Sequence, residues 1–288
     1  MIFILLLLMI NAFKYGLQTG IKQWRTALIA YFLQLLIVVP LGFQVYQVLE
    51  ASIGNSLGLN KLLSGFNDTV VTDFFNIHGA SLSPLLGQLR WVLLVYLIVS
   101  VFINAGLLNA VVKEKKGWFV FWEGGAGYFF RFFKIALFFL LIAGIWTVII
   151  WVPFMGFFQT SPEVFSSEKI SVLMLFAVLF IYFIVLFFLF NWSVVARIKI
   201  MTAELKIGQA LKEGFVFSVR KYFSIMGLFL LFLFIQLIFM AIYWNIESAS
   251  GMISPVLVLV FFILQQLLIY SRWVFKIGIY GGVKDMCS

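Results

Sequence analysis

Residues 170–196 read ISVLMLFAVLFIYFIVLFFLFNWSVVA, 27 residues without a single Asp, Glu, Lys or Arg. A helix rises about 1.5 Å per residue and the bilayer hydrocarbon is about 30 Å thick, so roughly 20 such residues cross it. Five further stretches are equally free of charge: 26–49, 91–112, 135–162, 222–246 and 248–271. Each is long enough to cross once and none is long enough to cross twice. The sequence therefore predicts an all-α integral membrane protein with six transmembrane helices, at about 26–49, 91–112, 135–158, 170–196, 222–246 and 253–273. They form one membrane domain over 1–288.

Composition supports the same solvent. Of 288 residues, 64% are hydrophobic and 11% charged, against about 25% charged in soluble domains. The net charge of +9 does not mark a nucleic-acid binder, because the basic residues sit between apolar runs rather than on one soluble face. Seventeen of the 20 fall beside alternate connections and the two termini; only Lys61, Arg90 and Lys169 fall on the other side. That bias predicts cytoplasmic termini, with the basic residues near anionic head groups.

Aromatic and capping residues fit this topology. Trp24, Trp118, Trp122, Trp192 and Trp273 fall at expected cytoplasmic ends, and Trp91, Trp151 and Trp244 at outer ends, where amphipathic rings favour the interface. Ser83-Pro84 and Ser254-Pro255 look like helix starts, while Pro40 and Pro153 should kink spans one and three. Residues 1–10 are apolar but carry neither a basic flank nor a cleavage site. Met9-Ile10-Asn11-Ala12-Phe13-Lys14 makes a more natural opening, so the first eight residues are expected to be an over-called translation start.

Three segments before odd-numbered spans share a register: Phe13-Lys14-Tyr15-Gly16, Phe121-Trp122-Glu123-Gly124 and Leu211-Lys212-Glu213-Gly214. Each is followed by a basic–aromatic cluster, at Trp24-Arg25, Arg131-Phe132-Phe133 and Arg220-Lys221-Tyr222-Phe223. We read three copies of one unit, a cytoplasmic amphipathic helix in the interface followed by a transmembrane hairpin. Arg25, Lys115, Lys116, Arg131, Lys134, Arg220 and Lys221 are the candidate contacts to lipid head groups or protein partners. The one long outer connection, 50–89, should carry short surface helices at 61–66 and 70–75.

Several activities are excluded by what is missing. A haem needs histidine at membrane depth, and His78, the only histidine, is in the outer connection. With Asp68 and Asp73 it is too loosely spaced for a metal site. No His-Glu-x-x-His, paired intramembrane aspartates or phosphate-binding loop occurs. Cys287 is alone and outside any prenylation box. The charge-free windows hold no ionisable relay of the kind ion pumps use. No cofactor and no enzymatic activity is expected. What remains at depth is amide chemistry, at Gln34, Asn104, Gln236, Gln265 and Gln266. Such amides either bind helices to one another or line a polar cavity.

The stretch Ala203-Glu204-Leu205-Lys206-Ile207-Gly208-Gln209-Ala210-Leu211-Lys212-Glu213-Gly214-Phe215 resembles that of poorly characterised bacterial six-span proteins. It is also similar to the membrane domain attached to some glycerophosphodiester phosphodiesterases. The resemblance covers mainly 196–235 and lacks the phosphodiesterase domain, so it implies a helical membrane architecture in a bacterial inner membrane and no activity. The Glu-Ala-Ala signature of binding-protein-dependent permeases is matched only in its glycine spacing. The expected function is a membrane subunit or scaffold that organises protein partners or lipids, the alternative being a transporter component for a lipid or hydrophobic solute. The topology predicts that, in a Cys287→Ser background, an impermeant maleimide labels Lys61→Cys on intact cells but Lys115→Cys only after lysis. The reverse pattern would invert the protein.

Overall fold

The computed structural model describes residues 2–53, 68–164, 168–250 and 254–287. Among these, eight helices account for nearly every residue: α1 (Ile2–Lys22), α2 (Trp24–Ile53), α3 (Asp68–Lys113), α4 (Trp118–Val164), α5 (Glu168–Ala203), α6 (Ile207–Arg220), α7 (Tyr222–Ser250) and α8 (Pro255–Cys287). The chain is an all-α membrane protein. Six stretches are long and apolar enough to span: Trp24–Val48, Gly87–Lys113, Trp118–Gly156, Lys169–Ala203, Tyr222–Ser250 and Val256–Cys287. Each contains one of the six charge-free windows or most of it. Ser254 caps α8 as expected, its Oγ accepting from the backbone N–H of Leu257 at 3.3 Å, with Pro255 at the first helical position.

The helices are longer than the windows that predict them. At 46 and 47 residues, α3 and α4 extend about 70 Å, over twice the bilayer hydrocarbon. Two expectations change as a result. The outer connection is shorter than 50–89, because α3 begins at Asp68 and runs through Ser83-Pro84 without restarting. Of the two expected surface helices, 70–75 is part of α3, and 61–66 lies outside the described residues. The second amphipathic segment is also not separate, since α4 passes unbroken from Trp118 into its span. The first and third are separate, with breaks at Gln23 and Lys221.

The described chain divides into two compact units, Met1–Leu28 with Val101–Ser288, and Ile29–Ser100. The smaller unit holds most of span one and the first part of span two, with Gln34 half-buried on α2. In the larger unit, α1 packs against α8 and α7, α4 pairs with α5, and α6 folds back onto α5. Its tightest packing lies at the basic end of the helices, where Ala12, Ala27, Leu107, Leu108, Phe121 and Ile198 are fully buried.

Small residues make this packing possible. On α1, Ala12, Gly16 and Gly20 form a buried stripe at four-residue spacing. A Cβ on Gly16 would overlap the Gly278 carbonyl oxygen, and one on Gly20 would lie 2.6 Å from the Val274 carbonyl oxygen. On α8, a Cβ on Gly278 would meet the Phe232 ring at 2.8 Å. The two backbones therefore touch directly, as in close-packed membrane helices. Backbone atoms cannot move aside as a side chain can. Gly16→Ala should lower the melting temperature in detergent by an amount matching roughly 1–3 kcal/mol of overpacking. Gly127 has open space around its Cβ position, so Gly127→Ala should be neutral or slightly stabilising through helix propensity. Equal effects of the two changes would refute the close-contact account.

Candidate functional site

The threefold register has a structural counterpart. Gly16, Gly124 and Gly214 are all buried, as are the residues four positions earlier, Ala12, Val120 and Ala210. Each glycine abuts the end of an even-numbered span. Gly16 meets Gly278 of span six, Gly124 meets the Asn109 side chain of span two, and Gly214 meets Ala196 of span four, its Cβ position 3.2 Å from the Ala196 backbone. The glutamate before the glycine in the second and third copies pairs with a lysine at that same span end. Lys113 and Glu123 are 2.7 Å apart, Lys199 and Glu213 3.8 Å. Both pairs are half-exposed, so solvent screens them; the glycine contact matters more. Ten residues before Gly124 and Gly214, Glu114 and Glu204 turn the chain with φ of 55° and 49°, a left-handed conformation that non-glycine residues rarely adopt.

The amphipathic helices therefore dock by their small residues. On α6 the buried face is Ala210, Gly214 and Ser218, while Phe215, Val216 and Val219 are exposed. The bulky apolar face is turned outward. Trp192 fixes α6 in place by donating from Nε1 to the Leu211 carbonyl at 2.8 Å, with its ring 5.0 Å from that of Phe215. Trp192, read from the sequence as an interfacial anchor, is thus a packing residue. So is Trp273, which is only 6% exposed, whereas Trp24, Trp118, Trp91 and Trp244 are largely exposed as that reading expects.

A polar network joins these packed ends. Gln23, 4% exposed, sits at the break between α1 and α2. Its Nε2 donates to the carbonyls of Ala110 at 2.9 Å and Lys115 at 3.2 Å, and its Oε1 accepts from Thr26 at 2.9 Å. Asn109 donates to the Val120 carbonyl at 2.8 Å, which holds the turn from α3 into α4. Glu114 in that turn accepts from the Tyr15 hydroxyl at 3.0 Å and the Lys284 ammonium at 2.8 Å. Lys284 also donates to the carbonyls of Val111 and Val112 at 3.3 Å. One carboxylate thus joins α1, the α3–α4 turn and α8. The Lys284 hydrogen bond, then that of Tyr15, holds the Glu114 carboxyl below its usual range, with Lys22 adding a weaker attraction. Burial and then the bond to Glu114 push the Tyr15 phenol up, so it stays a neutral donor.

Three of the five candidate amides are occupied in contacts between helices. The Tyr280 hydroxyl donates to Asn104 Oδ1 at 2.8 Å, joining α8 to α3. Ser271 donates to Gln236 Oε1 at 3.2 Å, and Gln265 donates to the Tyr243 hydroxyl at 2.7 Å, both between α7 and α8. Gln266 lies next to Gln265 on α8 and faces a different direction around the helix. The candidate basic residues are not gathered into one site. Arg25, Lys115, Lys116, Arg131, Lys134 and Arg220 are exposed on α2, the α3–α4 turn, α4 and α6, and Lys221 is half-buried at the end of α6. Arg25 and Arg131 lie over the rings of Trp24 and Tyr128. Lys116 helps to line a polar recess of about 130 Å3 with Tyr15, Lys22 and Glu114.

The sequence reading missed a second set of cations. Arg197 on α5 and Arg272 and Lys276 on α8 lie just beyond the charge-free windows, where they had counted only as topology signals. Arg197 Nε is buried without a hydrogen-bond partner, its guanidinium 5.7 Å from the centre of the Phe132 ring. Lys276 is half-buried and lies over Trp273 at 4.8 Å. Arg272 and Lys276 border an otherwise apolar cavity of about 250 Å3 between α5, α7 and α8. Comparison of the chain with protein-family models, curated proteins and solved structures finds no match in any of the three.

The Glu114 contacts give a pH signature. A carboxyl held low in the folded state stabilises above its unfolded value, and that contribution is lost as pH falls through the folded value. At neutral pH, Glu114→Gln should therefore melt below the wild type. The gap should close as pH falls below about 4, the ordinary range of a glutamate. A gap that persists unchanged to low pH would remove Glu114 as an ionised tie.

Proposed function

We propose that this protein is a non-catalytic membrane subunit or scaffold that organises protein partners or lipids from its basic end, on the cytoplasmic side of a bacterial inner membrane; the charge bias supports that side and the sequence resemblance that membrane. One observation carries the reading. Asn104, Gln236 and Gln265, three of the five amides named from the sequence, are each hydrogen-bonded to a neighbouring helix. Interhelical bonds of this kind stabilise by about 1 kcal/mol or less apiece, and they support rigidity rather than passage. The outward faces of the docked helices support the same reading. Phe215 and Val219 of α6, with Phe223 at the start of α7, remain exposed beside Arg220 and Lys212. That is the composition of a face that lies on a lipid boundary or receives a partner.

Transport of a hydrophobic solute would need a route past these amide contacts, and breaking them would then raise flux. The reading is tested by native mass spectrometry of the protein released gently from its own membrane. A second protein at fixed stoichiometry, lost on Phe215→Ser with Val219→Ser, is the expected outcome. A chain that is recovered without any protein partner under every extraction condition would refute the subunit reading. An ATPase as the partner would instead point to a permease.

A further inference from the structure

Arg272 and Lys276 lie one turn apart on α8, on the rim of the 250 Å3 cavity, whose walls include Phe187, Phe229, Leu233 and Phe275. Among the described residues, neither is in an ion pair with a carboxylate. The charged groups that act on Lys276 are Arg197 and Arg272, both cations. Like charges held together at the edge of an apolar cavity repel one another and favour an anion. Glu114, Glu123 and Glu213, three of the described carboxylates at this end, are already paired with Lys284, Lys113 and Lys199.

Depth identifies the anion. Arg272 is 17 residues beyond Pro255, where α8 begins, or about 25 Å along the helix. That distance nearly matches the hydrocarbon thickness of about 30 Å, so a helix entering at Pro255 brings Arg272 to the head-group level of the opposite leaflet. Gln236 marks the inner edge of the site, since Ser271, the residue before Arg272, donates to it and it lines the same cavity. A second apolar cavity, of about 230 Å3, continues from there along α7 and α8 toward the far end, lined by Phe239, Tyr243, Leu264 and Leu268 among others.

We infer that this is a binding site for one anionic phospholipid, its phosphate held by Arg272 and Lys276 with Gln236 beside it, and an acyl chain laid along the α7–α8 seam. A zwitterionic head group would bring its own ammonium to a place that already holds three cations, so the site favours a lipid of net negative charge. Arg guanidinium and Lys ammonium are both established phosphate binders. The apolar walls select a lipid over a free anion.

The inference deepens the reading of the chain as an organiser of lipids or partners and rests on it. The test uses the full-length protein, delipidated in detergent, with phosphatidylglycerol or phosphatidylcholine added and occupancy read by native mass spectrometry. Wild type should retain one phosphatidylglycerol in preference to phosphatidylcholine. The double variant Arg272→Gln, Lys276→Gln should lose about tenfold or more in affinity, as expected for two charge-assisted contacts. Arg90→Gln with Lys169→Gln, which removes two exposed cations outside this site, should bind as wild type does. Leu233→Trp, at a half-exposed position on the cavity wall, keeps every charge and should lower occupancy by filling the cavity. Equal retention of both lipids, or undiminished binding by both the double variant and Leu233→Trp, would overturn the site. Displacement by millimolar inorganic phosphate would instead make it a free-anion site and overturn the lipid assignment. Lipid occupancy is read on the purified chain, so it stands or falls separately from the co-purification of a protein partner.

Discussion

The contact of backbone on backbone between α1 and α8 is the constraint on which the larger unit depends. Gly16, Gly20 and Gly278 remove the side chains that would hold the two helices about 8–10 Å apart. Once α1 lies that close to α8, Gln23 reaches the carbonyls of Ala110 and Lys115, and Tyr15 and Lys284 converge on Glu114. Those polar contacts need the close approach, and they in turn fix the corner between α3 and α4. Packing sets the geometry and hydrogen bonds give it a single register.

The same device recurs around the basic end. Gly124 against Asn109 and Gly214 against Ala196 seat the other two amphipathic segments in the manner of Gly16 against Gly278. Seating a helix by small residues leaves its large apolar residues on the outside, which is why α6 buries Ala210 and Ser218 while exposing Phe215 and Val219. In water that arrangement would be unfavourable, because exposed apolar surface is costly. Against a bilayer it is favourable, since the acyl region accepts the aromatic face while the polar ends remain wet.

The spans were legible in the sequence because nothing in lipid substitutes for an apolar side chain, and charge-free length reports it directly. The three glycines were legible as a register but not as contacts, since spacing says nothing of which helix each would meet. The cationic cavity was hidden by the procedure that found the spans. Windows that end at the first charge assign Arg197, Arg272 and Lys276 to the outside, although α5 and α8 run on to Ala203 and Cys287 and carry these residues into the packed end. Trp192 and Trp273 were misread for a related reason. An indole near a span end satisfies the rule for interfacial anchors whether it faces lipid or a neighbouring helix. The amides could have served as helix ties or as a cavity lining; the partners Tyr280, Ser271 and Tyr243 make ties of Asn104, Gln236 and Gln265, and Gln236 also lines the cavity.

The pairing of α1 with α8 also sets an order of events during synthesis. The segment that carries Gly16 leaves the ribosome some 260 residues before the segment that carries Gly278, so at elongation rates of about 5–20 residues per second it waits many seconds for its permanent neighbour. Throughout that interval the Ala12-Gly16-Gly20 face is uncovered, and Glu114 lacks Lys284. The basic end thus cannot lock until α8 has been synthesised. Until then the nascent chain displays a surface that distinguishes an unpaired α1 from a paired one, which is the kind of mark that membrane insertases and quality-control proteases can read.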